Sequence, residues 1–256
     1  MSGRRPNTLR VWNGINNFRD PGACVKKSTG KPCTSWPEHF KNNGFVTAGV
    51  GKTFHNGSPK NWDQPLSWSV PYFDAGIPGV NIGCGGPGDN GTDPDWKFQK
   101  TGTCPGSGPD TDFIDGKFRD HAVSLLNQAA NDSRRFAFFV GFRRPHAPWR
   151  MPTRFYDLYD ESAISIAAPG AQTIGKNITT LAYAQNGFAS GHNGWGATWG
   201  PEQPLPESLQ RHIRRSYYSA VSWMDENVGR VLAALDASGK AEQTAVLLFA
   251  DHVRTL

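Results

Sequence analysis

The sequence predicts an α/β protein with a mostly parallel central sheet flanked by helices. Two observations carry this. Short, continuous apolar runs bounded by turn residues recur at wide intervals, as strands buried on both faces do. Each run follows a helical pattern, and a repeated helix–strand order implies parallel strands joined through helices. Composition agrees: hydrophobic residues make up 37% of the 256, while Gly (29) and Pro (19) are abundant, a balance suited to a loop-rich α/β chain. Nine Trp and fifteen Phe argue against disorder.

The first element is a short helix. Ser35 stands as N-cap before Trp36-Pro37, with Glu38 completing a capping box, and Asn43-Gly44 supplies a left-handed stop. Phe45-Val46-Thr47-Ala48-Gly49-Val50 then reads as a strand ending at Gly51-Lys52. Residues 56–111 are dominated by Gly, Pro, Asn and Asp and read as a long surface excursion. From about 115 to 131, Phe118, Ala122, Leu125, Leu126 and Ala129 recur at helical spacing. Phe136-Ala137-Phe138-Phe139-Val140-Gly141-Phe142 follows as a second buried strand, running into Arg143-Arg144-Pro145-His146. After an irregular stretch over roughly 160–204, the longest helix covers 207–237, with a stripe of Leu209, Ile213, Tyr217, Val221, Met224, Val228, Val231 and Leu235. Ser238-Gly239 ends it, and Val246-Leu247-Leu248-Phe249-Ala250 reads as a third buried strand before Asp251-His252.

All three strands therefore end in candidate polar residues: Lys52 and His55, then Arg143, Arg144 and His146, then Asp251 and His252. Singly, a Lys or His after a strand is most often solvated or structural. Their recurrence at successive strand ends is what points to a site, because parallel strands present those ends on one face. The net charge is +5, carried by scattered basic pairs, which suits an anionic ligand; no nucleic-acid module or basic–aromatic pattern is present. Cys24 with Cys33, and Cys84 with Cys104, lack C-x-x-C metal spacing and read as two local disulfides of an oxidising compartment, although four cysteines allow three connectivities. Sequons at Asn56, Asn90, Asn131 and Asn177 fit secretory passage. No apolar run approaches the roughly 18 residues of a membrane span. Met1-Ser2-Gly3-Arg4-Arg5-Pro6 has no signal-peptide core, so the natural start is expected upstream.

Three segments resemble the sulfatase family of the alkaline-phosphatase-like superfamily, and within it the iduronate-2-sulfatase-like branch. Gly51-Lys52-Thr53-Phe54-His55-Asn56-Gly57 is similar to that branch's Lys/His active-site segment. Gly141-Phe142-Arg143-Arg144-Pro145-His146-Ala147-Pro148-Trp149-Arg150 resembles its His-bearing segment. Arg214 to Asp225, continuing through Gly229-Arg230, resembles the helix that precedes its metal-binding Asp-His. The resemblance implies metal-dependent hydrolysis of sulfate esters on an acidic carbohydrate or another sulfated substrate, around a divalent cation, usually calcium, with a formylglycine nucleophile. It also implies roles. Lys52, His55 and His146 are expected to be catalytic, Arg143 and Arg144 to contact substrate, and Asp251 and His252 to hold the metal. Arg143 stands where that branch carries His, which implies a different substrate preference.

The departures are as informative. The formylglycine motif C/S-x-P-S-R occurs nowhere in the sequence, and Ser2-Gly3-Arg4-Arg5-Pro6 resembles the segment that follows it. His252 is followed by Val253 where the family continues with Gly. Residues 1–256 are therefore expected to be part of a sulfatase catalytic domain, secretory, lysosomal, periplasmic or extracellular in its parent protein, and inactive alone. Two alternatives remain open on the sequence: a non-catalytic protein binding sulfated glycans, and a phosphodiesterase or phosphonate hydrolase of the same superfamily.

Overall fold

Helix and strand boundaries follow local chemistry. In a computed structural model, which describes residues 2–9, 11, 16–20, 23–24, 33–55, 58–75, 103–146, 149–166 and 206–250, the first turn of helix is α1, Pro6–Leu9. Helix α2, Trp36–Asn42, starts at the expected capping box: the Ser35 hydroxyl accepts from the Glu38 amide, and the Glu38 carboxylate accepts from the Ser35 amide. Gly44, at φ 81°, takes the left-handed turn that ends it. Strand β1, Val46–Gly51, and strand β3, Phe136–Gly141, pair in parallel from Val46↔Phe136 to Gly51↔Gly141. Strand β2, Thr103–Gly106, pairs in parallel with β4, Trp149–Pro152. Helix α3 covers Ile114–Ala130, α4 is the single turn Thr153–Tyr156, and α5 covers Glu207–Ala237. The α/β class and the parallel pairing are as predicted.

The chain forms two compact units. The first comprises Met1–Gly76, Lys117–Arg143 and Gly229–Ala245. Its core gathers Leu9, Phe18, the Cys24–Cys33 disulfide, Phe54, Trp68 and Tyr72. Arg19 ties this core to two carboxylates, donating at 2.5 Å to Glu38 and at 2.7 and 2.8 Å to Asp63. Asp63 follows Asn61 and Trp62 in a run of three left-handed residues (φ 54–63°), a strained path that these contacts hold.

The second unit comprises Ile77–Gly116, Arg144–Val228 and Val246–Leu256. Its core packs Phe113, Trp149, Met151 and Phe155 against Ala220 and Trp223 of α5. A fully buried ring such as Trp223 stabilises by about 3–5 kcal/mol relative to alanine.

Three expectations are corrected. Residues 244–250 form no strand; Val246, Leu247, Leu248 and Phe249 are 58–75% exposed. An apolar run becomes a strand only where a ladder receives it, and among the described residues none pairs with this one. Over most of its length the deeply buried line on α5 is Ser216, Ser219, Ala220, Trp223 and Asn227, beside the apolar stripe, of which Leu235 is buried while Ile213 and Tyr217 pack partly buried against the core. The polar members of that line are tolerated because they donate back to carbonyls one turn earlier, Ser216 to His212, Ser219 to Arg215 and Asn227 to Trp223. Strand β3 is half-buried throughout, not fully buried.

Candidate active site

The site begins where β1 ends. Val50 is bridged in parallel by Phe73 on one edge and by Val140 of β3 on the other. The amides of β1 alternate accordingly: Gly51 donates to the Phe73 carbonyl at 2.8 Å, and Lys52 to the Gly141 carbonyl at 2.7 Å. Gly51 turns out of the strand at φ 68°. A Cβ there would sit 2.2 Å from the Gly141 carbonyl oxygen and 2.7 Å from the Phe118 ring, so only glycine fits. Two side chains fasten the turn. The Thr53 hydroxyl lies 3.0 Å from the Val50 and Phe139 carbonyls, and the Tyr72 hydroxyl donates to Gly51 at 2.5 Å. Burial first of all pushes the Tyr72 phenol up to about 12, so it stays protonated and able to donate.

This geometry brings Lys52, half-buried, and His55, exposed, to one end of β1, and the end of β3 delivers Arg143 alongside. His55 senses the two cations. Partial burial lowers the His55 pKa below its usual 6.5, and the charges of Lys52 and Arg143 lower it further. Asp74, which the sequence reading passed over, completes the group. Its Oδ1 lies 3.5 Å from Arg143 Nη2, an ionic contact longer than a hydrogen bond, with both side chains 11% exposed. Burial raises the Asp74 pKa while the Arg143 charge opposes the rise. The Arg143 guanidinium carbon also lies 5.9 Å from the centre of the Phe118 ring. No sequence signal marked Asp74, because it lies in a Pro-flanked segment with neither strand nor helix periodicity.

The two arginines part company, Arg143 belonging to the first unit and Arg144 to the second. Arg144 is buried; it donates to the Arg150 carbonyl at 3.0 Å and to the His146 carbonyl, and lies 3.9 Å from Asp115. Trp149 donates to the Pro145 carbonyl at 2.9 Å. The segment that carries the exposed His146 is thus braced by its own side chains. Asp251 and His252 lie outside the described residues, as do Cys84, the Cys104 side chain, and the sequon asparagines 56, 90 and 177; Asn131 is exposed. Cys24 and Cys33 are bonded as expected, with Cα atoms 5.3 Å apart. Among the described residues, no cluster of His, Cys, Asp and Glu could hold a metal ion. The group at the strand ends is dominated by cations and fits an anion, not a divalent cation.

A cationic group at the carboxyl ends of adjacent parallel strands is the chemistry expected of an anion-handling α/β enzyme. The sulfatase family model matches residues 1–256. The chain belongs to the sulfatase family. Iduronate 2-sulfatase of Homo sapiens is 31% identical over 98% of this chain and 44% of its own length, and that of Mus musculus 30% over the same shares. A sulfatase of Formosa agariphila is 28% identical over 98% of this chain and 47% of its own length. The chain spans less than half the length of these sulfatases. Both parallel ladders and their flanking helices accord with the family fold.

Proposed function

We propose that the protein containing this chain hydrolyses sulfate esters, with an acidic sulfated carbohydrate as the substrate class. The observation that carries this reading is the meeting of Lys52, His55 and Arg143 at the ends of β1 and β3 in a chain matched throughout by the sulfatase family. Cleaving the ester S–O bond leaves negative charge on the sulfuryl oxygens and on the departing alcohol oxygen. Lys52 supplies a compact positive charge for the former, while Arg143 offers a planar set of donors that holds the sulfuryl oxygens equally before and during cleavage. His55, with its lowered proton affinity, meets the anion as a neutral N–H donor near neutral pH. His146 is assigned the proton that the departing alcohol takes up. Arg144, occupied by backbone carbonyls, shapes the His146 segment and is reassigned from substrate contact to support.

The divalent cation, calcium by family, is assigned to Asp251 and His252, where it would add further charge neutralisation. A carboxylate suits such a hard ion. The C/S-x-P-S-R motif that supplies the family's nucleophile is not in these 256 residues, so the chain alone is assigned no turnover. The Cys24–Cys33 bond supports an oxidising compartment for the protein. Among the described residues, no helix is long and apolar enough to cross a membrane.

Comparing an aryl sulfate with the matching aryl phosphate as substrates of the full-length protein tests the reading. Sulfate release should exceed phosphate release by at least about 100-fold in kcat/KM, which corresponds to a difference of about 3 kcal/mol in transition-state stabilisation. Equal or preferential phosphate release would assign the site to phosphoesters.

A further inference from the structure

Asp74 has no part in the reaction outlined above, yet its placement is specific. The Phe73 amide donates to the Gly49 carbonyl at 3.0 Å, and the Phe73 carbonyl accepts from Gly51. The chain therefore runs beside β1 for one bridge and delivers Asp74 level with the end of that strand. Strand β3 pairs on the opposite edge of β1 and delivers Arg143 two residues past its last pair. The contact between Asp74 and Arg143 therefore joins the two segments that flank the end of β1.

Holding a carboxylate there is costly. Its side chain is 11% exposed, and Oδ1 has no hydrogen-bond partner among the described residues. A buried carboxylate oxygen left without a hydrogen bond destabilises a fold unless a nearby charge offsets it. The arrangement is thus poor as a structural clamp. It does restrain a guanidinium, whose five donors can serve more than one acceptor, within a group of cations.

We propose that Asp74 is a positioning residue: across the end of β1 it holds the Arg143 guanidinium beside Lys52 and His55, where Arg143 takes the anionic group of the substrate. This rests on the sulfate-ester reading above. Asp74 touches no reacting atom and acts only through Arg143. Without the carboxylate, the guanidinium keeps its charge but loses its placement, so substrate and product anions bind more weakly while the chemical step on bound substrate is little changed.

The test uses the full-length protein with Asp74→Asn, Arg143→Gln and the double variant. It measures KM and kcat for an aryl sulfate and the inhibition constant of inorganic sulfate. Asp74→Asn should raise KM and the sulfate inhibition constant about tenfold, the loss of one charge-assisted contact, with kcat within about threefold of wild type. In the Arg143→Gln background, the same change should add less than about twofold, because the two residues act as one unit. Asp74→Glu, which keeps the carboxylate, should stay within about threefold of wild type. An unchanged inhibition constant in Asp74→Asn, or effects that multiply in the double variant, overturns the inference while leaving the sulfatase reading intact. Should Asp74→Asn fail to fold, Arg143→Gln decides: a sulfate inhibition constant equal to wild type leaves no bound anion for Asp74 to position. A wild type that neither releases sulfate nor is inhibited by it overturns the sulfatase reading, and this inference with it.

Discussion

At the strand ends, proton affinities are set by neighbours. His55 is exposed, but Lys52 and Arg143 add to partial burial in disfavouring its charged form. An NMR titration should place His55 below 6.5, and Lys52→Met or Arg143→Gln should each move it back towards that value. A pKa at or above 6.5 would mean that the cations do not reach it. Stability follows the same shift. The unfolded chain binds the His55 proton more readily than the folded one, so the contribution is complete above pH 6.5 and is lost as pH falls through the folded value. Asp74 shifts the opposite way, upward, because burial outweighs the charge of Arg143 beside it. The sequence named Lys52, His55 and Arg143 as candidates because each follows a strand. It could not name Asp74, whose place depends on one bridge between Val50 and Phe73.

The turn after β1 is where packing becomes function. Gly51 and Gly141 face each other at the last pair of the ladder, and each would clash with the partner backbone if it carried a side chain: a Cβ on Gly141 would lie 2.4 Å from the Lys52 carbonyl carbon. Gly51→Ala combines a positive φ with that clash, so it should cost at least about 2 kcal/mol in urea denaturation and displace Lys52. A loss below about 0.5 kcal/mol would show that the turn is loose. Elements with strong local signals were legible before folding: the Ser35 capping box, the β1 and β3 runs, and α5 over Glu207–Ala237. Strands β2 and β4 were not, since four-residue stretches containing Pro105 and Pro152 carry no strand signal and form only through each other. The buried line on α5 was not legible because Ser216, Ser219 and Asn227 are polar, and burying polar groups carries a penalty. Their hydrogen bonds to the preceding turn remove that penalty. The run at 246–250 was misread for the converse reason: apolar content marks a candidate strand, and a pairing edge decides it.

Over the whole molecule, a net charge of +5 favours encounter with anionic substrates, an effect that weakens as salt is raised. Among the described candidate residues, Lys52, His55, Asp74 and Arg143 belong to the first compact unit, and Arg144 and His146 to the second. Family membership rests on the full 256 residues, while the chain spans less than half the length of the sulfatases it matches. The central claim is that the cations at the ends of β1 and β3 bind and stabilise a sulfuryl group. Its most direct test is steady-state release of inorganic sulfate from an aryl sulfate by the full-length protein, wild type against Lys52→Ala. The account predicts that kcat/KM falls at least about 100-fold with the melting temperature unchanged, as expected on removing a charge aimed at the transition state. Activity within about threefold of wild type would contradict it.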